Sequence, residues 1–149
     1  MFRIEFPKYA FKFKKEGGKN YIYDLIRKKY VVVTPEEWVR QHMVHYLINQ
    51  LHYPKNFIAV EKTIKVNQLN KRFDVVVYNI KHQPAMLIEC KQPEVSLQQI
   101  TLDQAGRYNT VLKAPYLLIT NGENNICCHI NFIDKGFSQL DGIPAYSEL

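Results

Sequence analysis

Cysteine is scarce: three in 149 residues, two of them adjacent at Cys127 and Cys128. That is no disulfide framework, and without a C-x-x-C pair it is no zinc motif. Adjacent side chains on a strand point to opposite faces, so Cys127 and Cys128 cannot chelate one ion together. No apolar run reaches the ~18 residues of a membrane helix. The opening MFRIEFPKYAFKFKKEGG lacks the continuous apolar segment of a secretory signal. Internal repeats and low-complexity tracts are also absent. These absences predict a reducing, cytoplasmic setting without a membrane partner. They also predict one domain, long enough to bury a core of its own.

What is present is unevenly placed. The net charge is +6. Residues 1–33 hold nine basic and three acidic residues, and the remainder balances at eleven of each. The whole excess therefore sits at the N-terminal end: Lys12, Lys14, Lys15, Lys19, Arg27, Lys28 and Lys29 with Arg3 and Lys8. A basic extension on a neutral body suits attraction to a phosphate backbone, and those first seven are the candidate DNA-binding residues. The competing reading is a solvated face that keeps the chain soluble.

Periodicity orders the rest. FKFKKEGGKNYIYD alternates on both sides of Gly17-Gly18, a hairpin signal, and KKYVVVT continues as an extended segment. In TPEEWVRQHMVHYLINQL, Thr34 is an N-cap, Pro35 fits the first helical position, and Glu37 completes a capping box. Val39, Met43, Tyr46, Leu47 and Leu51 form its apolar stripe, and Pro54 closes it. Strands are predicted over 57–66, 72–80, 85–91, 116–120 and 126–133, with a helix over 96–112. The tail from Asp134 is weakly patterned. The division is a basic β-hairpin extension over 1–33, a domain over 34–133 and a tail over 134–149. The order of elements predicts an α/β fold, a mixed β-sheet flanked by helices.

MLIECKQPE raises the chemical question. Glu89 and Lys91 sit two apart and share one face of a buried strand, while Cys90 points away as a small apolar filler. Buried charges are costly unless paired or bound to metal. The preceding strand carries Asp74 in RFDVVVY, which pairing across the KHQP turn would bring near Glu89. Two such carboxylates repel, and a hard divalent cation relieves the repulsion. A lysine beside them can orient water or stabilise a pentavalent phosphate. A plain Glu89–Lys91 salt bridge would explain the pair equally well.

With RFDVVVY, MLIECKQPE, DQAGRYN and YLLITNG in this order, the chain resembles the N-terminal nuclease domain of type I restriction enzyme R subunits. Those domains belong to the PD-(D/E)XK, or restriction-endonuclease-like, superfamily. The resemblance extends upstream through TPEEWVRQHMVHYLI and YPKNFIAVEKTIKV, covers about 34–122 and implies a core that continues to about 133. It implies an endodeoxyribonuclease using Mg2+, with Mn2+ as the alternative. Asp74 and Glu89 would be metal ligands, with the carbonyl of Cys90 as a further one. Lys91 would complete the E-x-K pair. Gln104 and Tyr108 match a Q-x-x-x-Y element on the following helix, where i, i+4 spacing puts them on one face. The ordinary alternatives are a surface amide and a core aromatic. A further metal-binding acid comes from the first helix: Glu37 is favoured, and Glu36 stays open. Arg40 and Arg72 are read as charge partners of these acids, with DNA phosphate as the alternative.

The implied partners are DNA, other restriction-system subunits or a second copy of the chain. The R subunits join this domain to a translocating motor. G-x-x-x-x-G-K-[ST] is absent here, so ATP-driven translocation is not expected of this chain alone. A non-catalytic DNA-binding or assembly subunit on the same fold is the rival from another class, disfavoured by an intact Asp74, Glu89 and Lys91. RNA is disfavoured because no aromatic stacking platform is visible in the sequence. Trp38 is read as packing, and His42 and His45 as exposed.

Overall fold

The computed structural model describes residues 1–134 and 136–149; for residues 66, 99–102, 105, 108 and 111 it describes the backbone only. The first helix begins where local chemistry dictates. Thr34 is extended, its Oγ1 accepts from the Glu37 amide at 3.0 Å, and Pro35 opens α1 (Pro35–Asn49). Buried Val39, Met43, Val44 and Leu47 give the helix its inner face.

That face covers the main sheet. Its strands are β1 (Phe2–Arg3), β5 (Ile58–Val66), β6 (Leu69–Tyr78), β7 (Pro84–Cys90), β8 (Tyr116–Thr120), β9 (Asn124–Asn131) and β10 (Gly136–Leu140). The order is β1-β9-β8-β7-β6-β5, with β10 also on the outer side of β9. Among the described residues only β7 and β8 run parallel, and the connection between them carries α2 (Gln99–Leu112). Val75, Val77, Met86, Ile88, Leu118 and Cys127 pack toward α1. Phe73, Val76, Leu87, Leu117 and Ile119 form the second core with Leu112 and Ala114. Two buried layers explain the dense runs of β6, β7 and β8, which alternation alone does not explain. The fold is thus a mixed α/β sheet with helices, as expected.

A second sheet is built from β2 (Phe13–Glu16), β3 (Lys19–Asp24) and β4 (Lys29–Val32), all antiparallel. Gly17 and Gly18, at φ +58° and +75°, make the turn that side chains would strain. The N-terminal segment holds more than the expected hairpin. It adds a third strand, gives β1 to the main sheet, and crosses α1 in between. Phe6, Tyr9, Phe11 and Phe13 pack there on Trp38, His42, His45 and Tyr46. His42 and His45 are therefore half-buried under this strap, not exposed.

The tail also departs from its weak pattern. It supplies β10, and Tyr146 packs on Tyr53 and Phe57 while donating to the Tyr78 carbonyl at 2.9 Å. Tyr53, 2% exposed, donates to the Pro144 carbonyl at 2.6 Å. Tyr53→Phe removes that donor and leaves a carbonyl without its partner. The expected loss is about 1–2 kcal/mol in urea denaturation. Amide exchange should quicken over residues 140–149, while α1 keeps its protection.

Candidate functional site

The site starts from an irregularity in β6. The β6–β7 ladder runs through Val75↔Ile88 and ends there. Past that point the Cys90 amide donates to Asp74 Oδ2 at 2.8 Å. A side chain has taken the place of a backbone acceptor. On the other side, Val60↔Val75 and Lys62↔Phe73 bracket Glu61, which sits at φ +56°. That is a left-handed conformation costing of order 1 kcal/mol for a residue with a side chain. The strained residue aims a carboxylate at the same place as Asp74.

What lies there is Arg40. Its Nη1 is 2.7 Å from Asp74 Oδ1, 2.7 Å from Glu61 Oε1 and 3.9 Å from Glu36 Oε1. Its Nε is 2.8 Å from Glu37 Oε2. The guanidinium is buried, and the surrounding acids hold its proton more firmly than usual despite that burial. Arg72 closes the outer side, with Nε 2.6 Å from Glu61 Oε2. Arg40 is a charge partner of the candidate acids, whereas the partner of Arg72 is Glu61, an acid not among the candidates.

Glu89 lies on the other side of Asp74. Burial first, then the Asp74 charge, push its carboxyl up to about 7. Lys91 Nζ, 3.4 Å from Glu89 Oε1, and its charge act against that rise without cancelling it. Asp74 is also raised, by burial, in spite of the Cys90 amide and Arg40. The Lys91 amide donates to the Thr120 carbonyl at 2.8 Å, so β8 anchors the lysine's backbone. Asp74, Glu89 and Lys91 are thus brought into one electrostatic neighbourhood where the β6–β7 ladder stops and β7 and β8 end.

The two first-helix acids differ in their surroundings. Both oxygens of Glu37 are taken by arginines: Arg27 on Oε1 and Arg40 on Oε2. Those donors hold its carboxyl below the usual range against burial. Glu37 is thereby engaged as the salt-bridge partner of both arginines. Glu36, 43% exposed at its side chain, is the one whose charge reaches both Asp74 and Glu89. Sequence reasoning also missed Glu61, whose position depends on a backbone twist with no local signal. Gln104 is exposed on α2, and among the described residues its side chain makes no hydrogen bond to Lys91 or Glu89. The side chain of Tyr108 lies outside the described residues.

The basic candidates do not line this cluster. Lys12, Lys14, Lys15, Lys19, Lys28 and Lys29 are exposed on or beside the second sheet. Arg27 is instead consumed structurally: it bridges Glu37 and Asp24, whose Oδ2 lies 2.6 Å from Arg27 Nε. A cavity of about 640 Å3 lies elsewhere, between α2 and β9–β10, lined by Leu117, Cys128, Ile130 and Phe137. It contains none of the clustered carboxylates.

A sequence family described as the type I restriction enzyme R protein N terminus matches residues 35–144. The chain belongs to that family. No curated protein sequence matches it. Among solved structures it is similar to a fragment described as an HsdR subunit of a type I restriction enzyme from Vibrio vulnificus YJ016. The identity is 18% and the TM-score 0.59, over 78% of this chain and 24% of that one. That likeness is one of fold, and the chain spans about a quarter of the relative's length. No helix among the described residues is long and apolar enough to cross a membrane.

Two outcomes test this electrostatic arrangement. Arg40→Leu leaves four acids without their common cation and should cost about 3–5 kcal/mol in urea denaturation. Arg72→Ala, at a residue 71% exposed, should stay below about 1 kcal/mol. The second concerns pH. Glu89 holds its proton more tightly folded than unfolded, so its contribution is complete below its unfolded value near 4.5. It is lost as pH rises through about 7. In EDTA, the melting temperature of Glu89→Gln should gain on that of the wild type between pH 5 and 8. A gap that does not change with pH contradicts the raised carboxyl. Asp24 and Glu37 are lowered, so their contributions fail only in acid, outside this window.

Proposed function

We propose that this chain is a divalent-metal-dependent DNA endonuclease of the PD-(D/E)XK kind, hydrolysing phosphodiester bonds. The observation that carries the reading is the pairing of Asp74 with a Glu89 whose carboxyl is pushed up to about 7 beside Lys91. Acid pairs with displaced proton affinities beside a charged partner are a feature of reactive sites. Membership of the restriction-enzyme R family supports the same reading.

The donor set fits a hard cation. Among the described residues, no three His, Cys, Asp or Glu side chains form a metal-holding group. Magnesium does not require one: it is commonly held by one or two carboxylates, with water and substrate phosphate completing its shell. Asp74 and Glu89 would hold it, with the Cys90 carbonyl as a further oxygen. When bound, the ion would polarise the phosphoryl group and acidify a water. Arg40 fixes one Asp74 oxygen and the Cys90 amide the other, so the carboxylate is oriented before any ligand arrives. Lys91 supplies a mobile ammonium for charge that builds on the phosphoryl oxygens during attack. Glu36 stands at the rim as the acid able to join the set. Gln104 and Tyr108 enter only if α2 brings them to the substrate. DNA is the proposed substrate, and other restriction-system subunits the proposed company for a chain without motor motifs.

Plasmid nicking with magnesium, with EDTA and with Lys91→Ala is the decisive set. Lys91→Ala should cut the cleavage rate about 10²-fold or more, with DNA affinity and melting temperature nearly unchanged. Lys91→Arg should not rescue, since a planar guanidinium places its donors differently. A folded Lys91→Ala protein that cleaves normally leaves the nuclease reading without its central residue, and a wild-type chain that does not nick plasmid with magnesium leaves the non-catalytic binding subunit.

A further inference from the structure

The sequence offers no visible stacking platform; the second sheet corrects this. Residues directly paired across strands share a face. Lys14 pairs with Tyr21 and Tyr21 with Val32, while Tyr23 pairs with Tyr30. The Tyr23 amide donates to the Lys12 carbonyl, which continues the row. One face therefore carries Lys12, Lys14, Tyr21, Tyr23 and Tyr30, with Lys19 opposite Glu16 at its turn end. The other face carries Phe13, Ile22 and Val31. Ile22 is fully buried, and Phe13 stacks on Trp38 of α1. This second face meets the protein through Ile22 and Trp38, although Phe13 stays 54% exposed, and the first face is turned away from α1. Tyr30 is 37% exposed, and Tyr21 and Tyr23 are half-buried.

On the outward face Tyr23 and Tyr30 pack edge-to-face at 5.3 Å across the strands, and Tyr21 lies beside them. Their lysines already sit against them: Lys14 Nζ is 4.8 Å from the Tyr30 ring centre and 5.4 Å from that of Tyr21. Lys12 Nζ is 5.8 Å from Tyr23. Exposed contacts of this type, and the Lys14–Glu16 pair at 3.1 Å, are worth about 1 kcal/mol or less each. A polyanion can draw the ammonium groups off the rings at small cost. Ring faces are then open beside phosphate-binding charges.

We propose that this face binds single-stranded DNA, with unpaired bases stacking on Tyr21, Tyr23 and Tyr30 and the backbone running along Lys12, Lys14 and Lys19. The chemistry selects the single strand. Stacking needs an exposed base face, which a duplex hides, and each base–aromatic stack contributes about 1–3 kcal/mol without regard to sequence. The proposal rests on the nuclease reading only in choosing DNA over RNA. It adds that the strand held is the unpaired one.

The test is fluorescence polarisation of the full chain in EDTA, using a labelled thymidine oligonucleotide, a uridine one and a duplex of equal length. Wild type should bind the thymidine strand more tightly than the duplex. Tyr30→Ala should weaken strand binding about tenfold, leaving the salt dependence unchanged. Lys14→Gln should lower the salt slope instead. Tyr30→Leu keeps apolar cover for the sheet and should fail in the same way as Tyr30→Ala, which separates stacking from stability. Tyrosine variants that bind like wild type, or a duplex that binds equally and loses equally, overturn the proposal. Tighter binding of the uridine strand overturns the choice of DNA. Because cleavage is silent in EDTA, strand binding by a chain that never nicks plasmid sinks the nuclease reading alone. Nicking with tyrosine-independent binding sinks this proposal alone.

Discussion

Arg40 is the buried cation on which the site is built. A guanidinium cannot leave water unless nearby acids replace its solvation. Four do, from three elements: Glu36 and Glu37 on α1, Glu61 on β5 and Asp74 on β6. This ties the helix to the sheet at one point by direction as well as by packing. It also reaches the N-terminal segment, because Glu37 passes the link to Arg27 and Asp24. Gln41 donates to Asp24 at 3.0 Å from the next turn of α1. The second sheet is therefore anchored to the core by charge on one side and by the aromatic strap on the other. Its outer face stays uncommitted.

Local rules give way around that cation. Glu61 takes a left-handed backbone inside a strand, and β6 surrenders a ladder acceptor so that Asp74 can receive the Cys90 amide. Such departures are costly alone and persist because the surrounding contacts fix them. They concentrate where β6 and β7 separate. Separation there allows two carboxylates on neighbouring strands to face the same space without competing for ladder hydrogen bonds.

Much of this was legible because the signals are local. Thr34, Pro35 and Glu37 mark the start of α1, and the Glu37 amide does bond Thr34. Gly17-Gly18 marks its turn, and dense apolar runs mark the strands buried on both faces. Asp74 and Glu89 could be expected together because the turn between β6 and β7 is short. The rest depends on partners far along the chain. The capping box accounted for the Glu37 backbone but not for its side chain, which two arginines claim. Nothing near Glu61 signals its twist. β1 and β10 are too short or too polar to show a period, and they form because β9 offers an edge. The tail is held by Tyr53 and Tyr146, whose partners lie 91 and 68 residues away.

The carboxylates then divide by how many donors each receives. Asp24 accepts the amides of Ile26 and Arg27 and the side chains of Arg27 and Gln41, and it is held low. Glu37, with two arginines, is held low as well. Asp74 receives an amide and a shared arginine, which do not offset its burial. Glu89 has one lysine at 3.4 Å and a like charge beside it, and its carboxyl rises furthest of the four. Burial raises all of them and is the largest cause in each; at Asp24 and Glu37 the donors outweigh it, and at Asp74 and Glu89 the donors together with neighbouring acids do not. The acids that make the fold are saturated. Those where the β6–β7 ladder opens are short of positive charge, which is the condition under which a divalent cation gains most from carboxylate oxygens.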